Sequence, residues 1–229
     1  MTPFSEIEGT IAERIAQMRR LMPDSVRLIA VTKQVSVDAM RAAYAAGVRD
    51  FGESRVQEAE AKQSQLTDLS DVTWHLIGHL QTNKAQKALQ HFQWIHSVDS
   101  LKLAECLDRF GATLPQKPQV LLQVKLLPDP NKYGWEIADL FADLPELDQY
   151  KNLNIQGLMT IPPLGLTRSE TLSLFQQTHQ LANEIRDQKF VHLKMNELSM
   201  GMSDDFLLAV EAGATMIRPG RILFGDRAP

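Results

Sequence analysis

Residues 26–38 read VRLIAVTKQVSVD, an apolar run that ends just before Lys33 and leads through a short turn into the alanine-rich segment of residues 39–47. A short apolar run of branched residues predicts a buried strand, and apolar residues three and four apart predict a helix after it. The stretch is therefore a strand, turn and helix unit that leaves a lysine at the carboxyl end of the strand.

The same unit recurs along the chain. Strand-like runs alternate with helical patterns, and the eight runs are VRLIAVT, RDFGE, WHLIGH, WIHSVD, QVLLQVKLL, NIQGLMTI, HLKMNELSM and TMIRPG. Such alternation predicts parallel strands with crossover helices, and eight units close into a (β/α)₈ TIM barrel. We expect one α/β domain over residues 1–229, with an extra amphipathic helix over residues 5–21. The alternative is an open doubly wound sheet, although no G-x-G-x-x-G follows the first strand.

Composition excludes several classes of protein. The 229 residues carry a formal net charge of −4, which gives no electrostatic case for nucleic acid or an anionic membrane as a partner. No run approaches the ~20 apolar residues that span a bilayer, and the N-terminus has no signal-type apolar segment. Cys106 is the single cysteine, so no intrachain disulfide is possible. We expect a cytoplasmic protein.

Lys33 is a candidate nucleophile. A lysine held at a strand end among apolar residues loses solvation of its charge, so its pKa is expected to fall and more of it to be a free amine at neutral pH. Such an amine can condense with an aldehyde. The alternative is a lysine whose stem covers apolar surface while its charge reaches solvent; the residue alone favours this alternative, and the rest of the chain favours the nucleophile.

The loops after the last two strands are candidates for binding phosphate. In barrels of this type the chemistry lies on the loops after the strands, and those after strands seven and eight often hold phosphate. Residues 199–203, SMGMS, and residues 218–221, RPGR, occupy these places. Ser203 is either an N-cap of the helix DDFLLAVEAG or a phosphate ligand. Because strand eight closes against strand one, the phosphate and an aldehyde at Lys33 are expected to belong to one ligand.

His75 and His79 form an H-x₃-H pair that resembles a metal motif. Residues four apart on a strand lie ~13 Å apart, which is too far to bind one ion. We therefore expect no metal, a histidine at position 75 that is satisfied in the core or at the bottom face of the barrel, and His79 facing the ligand at the strand end.

A set of segments resembles one family when the segments are taken together. They are LIAVTK, FGESRVQE, WHLIGHLQTNK, IHSVDS, LLQV, KYG, GLMTIPP and LSMGMSDDFLLAVEAGATMIRPGRILFG, in order from about residue 26 to residue 227. They resemble the pyridoxal phosphate homeostasis proteins, which are similar to the N-terminal barrel domain of alanine racemase and to fold-type III decarboxylases.

The resemblance implies a pyridoxal 5'-phosphate site. Lys33 would form the internal aldimine, and Arg218 would approach the pyridine nitrogen. The phosphate would be held, largely through backbone amides and a serine hydroxyl, by Gly201, Met202, Ser203, Gly220 and Arg221. The same pocket would include Ser54, His79, Met159, Thr160 and Ser199. Ser54 and Lys125 stand where many members carry asparagine, and Lys125 adds a second amine near the barrel mouth.

Three functions remain open from the sequence. The first is a carrier and regulator of pyridoxal phosphate without substantial turnover, monomeric, with apoenzymes that depend on the cofactor as recipients. The second is an amino acid racemase or decarboxylase, but such racemases take a catalytic tyrosine from a second domain and this sequence ends just after strand eight. An arginine at the pyridine nitrogen also disfavours delocalisation of a carbanion. The third, a sugar-phosphate isomerase or aldolase without a cofactor, lacks a paired glutamate base.

Overall fold

Eight parallel strands form a closed barrel in the computed structural model, which describes residues 7–129 and 132–225. The strands are β1 Arg27–Val31, β2 Asp50–Glu53, β3 Thr73–Leu76, β4 Trp94–Val98, β5 Gln119–Lys125, β6 Trp135–Glu136, β7 Asn154–Thr160, β8 Leu193–Ser199 and β9 Met216–Ile217. β1 pairs with β9 and β4 pairs with β5, which closes the ring, whereas β6 only extends the end of β5. The barrel and its eight predicted strands are confirmed.

Helices follow the strands and cover the outside of the barrel. They are α1 Ile11–Arg20, α2 Val37–Ala45, α3 Val56–Gln63, α4 Ala85–His91, α5 Leu101–Gly111, α6 Ile137–Leu147, α7 Arg168–Asp187, α8 Phe206–Glu211 and α9 Arg221–Phe224, with a 3₁₀ turn at Thr82–Lys84 before α4. Their buried faces pack on the sheet as one apolar cluster. No helix in residues 7–129 and 132–225 combines the length and the apolar character needed to cross a membrane.

The N-terminal helix is shorter than expected. Thr10 is its N-cap, because the Thr10 hydroxyl accepts from the Glu13 amide while the Glu13 carboxylate accepts from the Thr10 amide. This capping box sets the first turn at Ile11, so the expected start at residue 5 is wrong. Residues 5 and 6 lie outside the described residues.

The inside of the barrel is filled by side chains. Ile29, Trp94, Leu121, Met159 and Met216 form a buried apolar cluster separate from the cluster under the helices. A filled interior means that a ligand can enter only at the loops, and in these barrels that is the carboxyl end of the strands.

The seam between the first and last strands positions the candidate site. The amide of Val31, the last residue of β1, donates to Pro219 O at 2.8 Å. Lys33 follows two residues later in a turn, so the loop after β9 lies beside the loop that carries it.

Candidate functional site

A cavity of about 460 Å³ opens at this seam. Its volume is that of a small-molecule site. It is lined by Val31, Lys33, Ser54, Ile77, Ile161, Met202, Ser203, Asp204, Arg218, Gly220 and Arg221. The cavity therefore combines an amine, two hydroxyls, two guanidinium groups and an apolar wall.

Lys33 is half-buried and shares the cavity with apolar side chains. Both of its neighbours in the chain are fixed. The carbonyl of Thr32 accepts from Lys62 Nζ at 2.6 Å, and the amide of Gln34 donates to Glu58 Oε1 at 2.6 Å. Gln34 has a φ of 61°, a left-handed conformation that a non-glycine residue holds only when its surroundings impose it.

A buried charge cluster provides that restraint. Lys62 Nζ lies 2.8 Å from Glu53 Oε1 and 2.7 Å from Glu58 Oε1, and the Thr32 hydroxyl donates to Glu53 Oε1 at 2.7 Å. Glu53 is 0% exposed, and burial raises the pKa of its carboxyl group while Lys62 opposes the change. The cluster was not predicted, because Lys62 occurs in a helical pattern that carries no sign of burial.

Ser203 connects the loops after β8 and β9. Its Oγ accepts from the amides of Gly220 at 3.2 Å and Ile222 at 3.3 Å. A hydroxyl that accepts two hydrogen bonds still has its own proton to donate, and Ser203 lines the cavity, so this proton is available to an anion there.

The interpretation of Ser203 as the N-cap of the following helix is wrong. That helix begins at Phe206 with Asp205 as its N-cap, so Ser203 lies too early in the turn. Asp205 Oδ1 instead accepts from the Met202 amide at 2.6 Å and closes the turn.

Gly201 shapes the loop after β8. It has a φ of +93°, and a Cβ at this position would lie 2.6 Å from the Cβ of Ala209. Its carbonyl accepts from the Arg218 amide at 2.8 Å, which holds the loops after β8 and β9 together. Glycine, which has no Cβ, adopts this positive φ and avoids the clash with Ala209 without rearrangement of the loop.

The two arginines of the cavity differ in environment. Arg221 is exposed, and its guanidinium donates to the Asp204 carboxylate. Arg218 is 3% exposed, and burial lowers the pKa of its guanidinium to about 10, which leaves it charged at neutral pH. It donates to Thr160 O at 2.9 Å, so the buried cation of the cavity has a fixed position.

Behind Arg218 a line of polar side chains crosses the barrel interior. Arg218 Nη1 donates to Ser199 Oγ at 2.6 Å, and Ser199 Oγ lies 2.7 Å from His96 Nδ1. His96 Nε2 lies 2.9 Å from His75 Nδ1, and His75 Nε2 lies 2.9 Å from Asp50 Oδ1. Both histidines are fully buried, so the predicted core role of His75 is confirmed.

These histidines predict a loss of stability in mild acid. Burial lowers the pKa of His75, and it lowers that of His96 well below the ordinary 6.5. Below about pH 6.5 the histidines of the unfolded chain therefore bind protons, whereas the buried histidines of the folded chain stay neutral. The stability that depends on these neutral histidines is present above pH 6.5 and is lost as pH falls. We expect the two histidines to lower the free energy of unfolding in urea by about 1–2 kcal/mol between pH 6.5 and pH 5.5, an effect that the raised pKa of the buried Glu53 carboxyl group opposes. His96→Asn should flatten the slope, and an equally steep slope in that variant would contradict the assignment.

Seven predicted site residues line the cavity and five do not. The seven are Lys33, Ser54, Met202, Ser203, Arg218, Gly220 and Arg221. Met159 and Ser199 are 0% exposed in the barrel interior, and Gly201 lies beneath its loop against Ala209. Thr160, expected at the pocket wall, contributes its carbonyl to Arg218 from a buried position.

His79 lies outside this lining, against the expectation that it shares the pocket. Its Nδ1 is 2.8 Å from Asp99 Oδ2, and its ring stacks on Tyr133 with centroids 3.5 Å apart. These contacts draw it into a neighbouring cavity of about 330 Å³ that shares Ser54 with the first.

Lys125 also lies apart from Lys33. It lines another cavity, beside Asp99 and Glu136, and its Nζ is 4.0 Å from Glu136 Oε1. Among the described residues no group of three His, Cys, Asp or Glu side chains is arranged to hold a metal ion.

A family model and two named relatives place the chain in one family. The family model for the alanine racemase N-terminal domain matches residues 8–228. A pyridoxal phosphate homeostasis protein of Synechocystis is 53% identical over 206 residues, which cover 90% of this chain and 94% of the relative. One of Pseudomonas aeruginosa is 40% identical over 231 residues, which cover 99% of this chain and 97% of the relative.

Solved structures give the same result. PipY of Synechococcus elongatus with PLP bound has a TM-score of 0.90 and 57% identity, and the match covers 94% of this chain and 100% of PipY. Alanine racemase of Clostridium difficile has a TM-score of 0.75 at 13% identity, and the match covers 96% of this chain and 57% of the racemase. The second likeness concerns the fold alone.

Proposed function

The chain belongs to the pyridoxal phosphate homeostasis protein family, and from this premise we propose that it binds pyridoxal 5'-phosphate and takes part in the homeostasis of this cofactor and of amino and keto acids. PipY, 57% identical over 94% of this chain, has been solved with PLP bound. The single observation that carries the proposal is the cavity, because it brings the Lys33 amine and the Ser203 hydroxyl together on loops at opposite ends of the sequence.

The residues of the cavity fit the cofactor. An aldehyde needs an amine, a phosphate needs hydrogen-bond donors, and the flat ring between them needs apolar walls. Lys33, the Ser203 hydroxyl, and the side chains of Val31, Ile77 and Ile161 supply these three features. The remaining buried donor in the lining is Arg218, which suits the ring nitrogen as an acceptor.

We further propose that the cofactor is bound covalently. The Lys33 amine would attack the aldehyde carbon, and water would leave as the carbon–nitrogen double bond forms. When bound, the cofactor supplies an electron-withdrawing ring, and this chain supplies the amine, the phosphate donors and the buried cation. His79, Met159, Ser199 and Gly201 belong to the proposal as supporting residues behind or beside the cavity.

Ser203 is expected to control affinity. Ser203→Ala removes a donor to a charged phosphate, and such a hydrogen bond contributes about 1.5–3 kcal/mol, so the dissociation constant should rise roughly tenfold to a hundredfold. Equilibrium dialysis of the apo-protein with pyridoxal phosphate measures this. Thr167→Ala, which removes the N-cap of α7 away from the cavity, is the control and should leave the dissociation constant unchanged. If Ser203→Ala and Arg221→Ala both leave affinity unchanged, the phosphate site lies elsewhere.

We propose that the protein is a carrier without substantial turnover. Proton transfer at the Cα of an amino acid in both directions needs a second acid or base opposite the lysine. The titratable side chains among the described residues that line the cavity are Lys33, Asp204, Arg218 and Arg221. The Asp204 carboxylate is paired with Arg221, and the Arg218 guanidinium stays charged. Neither side chain therefore supplies the second acid or base.

Turnover can be tested directly. The holo-protein is incubated with L- and D-alanine, serine and lysine in deuterium oxide, and Cα exchange and chirality are followed by NMR. We expect neither Cα exchange nor inversion of chirality at a useful rate. Exchange at the ~1–10³ s⁻¹ of ordinary enzymes, abolished by Lys33→Ala, would contradict the carrier function and indicate an amino acid racemase. Loss of carbon dioxide from the amino acid would indicate a decarboxylase.

The wider setting is also proposed. Residues 1–229 would form one cytoplasmic, monomeric domain, and apoenzymes that require pyridoxal phosphate would be its recipients. The net charge of −4 gives nucleic acid and anionic membranes no attraction as partners.

A further inference from the structure

The buried line from Arg218 to Asp50 has one consistent set of proton positions. A carboxylate can only accept, so Asp50 accepts from His75 Nε2–H. A neutral His75 then accepts at Nδ1, so His96 carries its proton on Nε2 and donates it there. His96 Nδ1 is left to accept the Ser199 hydroxyl proton, and the lone pairs of Ser199 accept from Arg218.

These proton positions determine which part of the Ser199 hydroxyl faces the Arg218 guanidinium. Because the Ser199 proton is committed to His96, the Ser199 oxygen presents only lone pairs to the guanidinium. The Ser199 oxygen accepts one N–H from Nη1 of Arg218, and the Thr160 carbonyl accepts one N–H from Nη2. The guanidinium is planar and rigid, so two fixed N–H groups set the direction of the remaining donors. Arg218 lines the cavity, so its orientation there depends on the line behind it.

We propose that His96 and His75 are positioning residues that hold Arg218, through the Ser199 hydroxyl, with a donor directed at the pyridine nitrogen of the bound cofactor. The proposal deepens the proposed function and rests on it. Neither histidine lines the cavity, and both act through Ser199. Without His96 the Ser199 hydroxyl can turn its proton toward the guanidinium. Without His75 the other tautomer of His96 becomes available, with the same effect on Ser199.

The test compares two probes that differ at one ring atom. Pyridoxal 5'-phosphate has a ring nitrogen, and 1-deazapyridoxal 5'-phosphate has a C–H in its place, with the same aldehyde and phosphate. A charged donor aimed at the nitrogen should give the wild-type apo-protein at least about a tenfold preference for the first probe. The ratio of the two dissociation constants cancels any general loss of binding, which a merely structural role of the histidines would cause.

Four variants separate the roles. His96→Leu removes the acceptor for the Ser199 proton, and its ratio should fall below about threefold. His96→Asn keeps an acceptor near the position of Nδ1, and its ratio should return to near the wild-type value. His75→Leu provides a second route to the same loss of preference. His91→Leu is the matched control, because His91 bonds Gln63 at 2.7 Å on the helix layer and should leave the ratio unchanged.

The outcomes are distinct. If His96→Leu and His75→Leu keep the wild-type ratio, the histidines only support the fold and the proposal is overturned. If wild-type protein binds both probes equally, no donor meets the ring nitrogen, and the proposal fails while cofactor binding stands. If wild-type protein binds neither probe, the proposed function itself has failed.

Discussion

Lys62→Met should lower the free energy of unfolding by about 3–5 kcal/mol, because it removes the cation that pairs with both Glu53 and Glu58 and leaves the buried Glu53 carboxylate without a charged partner. Lys62 is buried beneath the loop that carries Lys33, and Glu53 is 0% exposed. Methionine has a similar length and keeps the apolar contacts of the lysine stem, so the change removes only the charge and its hydrogen bonds, including the one to the Thr32 carbonyl. Equilibrium unfolding in urea at pH 7 measures the difference.

Two further variants make the result specific. Lys87 pairs with Glu60 at 2.6 Å, but both side chains are 45% exposed, so Lys87→Met should cost less than about 1 kcal/mol. Adding Glu53→Leu to Lys62→Met also removes the fully buried carboxylate, leaves only the partly exposed Glu58, and should recover most of the loss. A Lys62→Met protein no less stable than Lys87→Met would mean that the cluster does not support the loop.

Lys33→Ala should abolish the visible absorption of the protein incubated with pyridoxal phosphate, because the proposed covalent bond needs the Lys33 amine. The variant should still retain weaker binding through Ser203 and Arg218, detectable by dialysis. Lys125→Ala is the matched control, since Lys125 lines a different cavity, and it should keep the full band. A visible band of wild-type strength in Lys33→Ala would remove Lys33 from its proposed role.

The barrel could be predicted because periodicity and strand count depend on local sequence. Each of the eight strands is a short apolar run with turn residues beside it. β6 at Trp135–Glu136 and α9 at Arg221–Phe224 escaped prediction, since two and four residues show no period. The amphipathic pattern of residues 5–10 predicts too early a start for α1, whereas the capping box at Thr10 and Glu13 sets the boundary at Ile11.

The site was predictable only in part. The strand ends predict Lys33, Ser203 and Arg218 as candidates, and closure of the barrel places all three in the lining of one cavity. Partners across the barrel leave no mark in the sequence: His96 and Ser199 are 103 positions apart, and Lys62 and Thr32 are 30 apart. The sequence likewise carries no sign that Asp99 and Tyr133, on other loops, place the His79 ring in the neighbouring cavity.

We propose that the loops carrying Lys33 and Ser203 hold pyridoxal phosphate in one cavity, with the cofactor bonded to the Lys33 amine. The direct measurement is borohydride reduction of the protein with its cofactor, followed by peptide mass spectrometry, because reduction makes the bond to the amine permanent. We expect one pyridoxyl group per chain, in the peptide that contains Lys33. A pyridoxyl group found only on Lys125, Lys84 or another lysine would contradict the account.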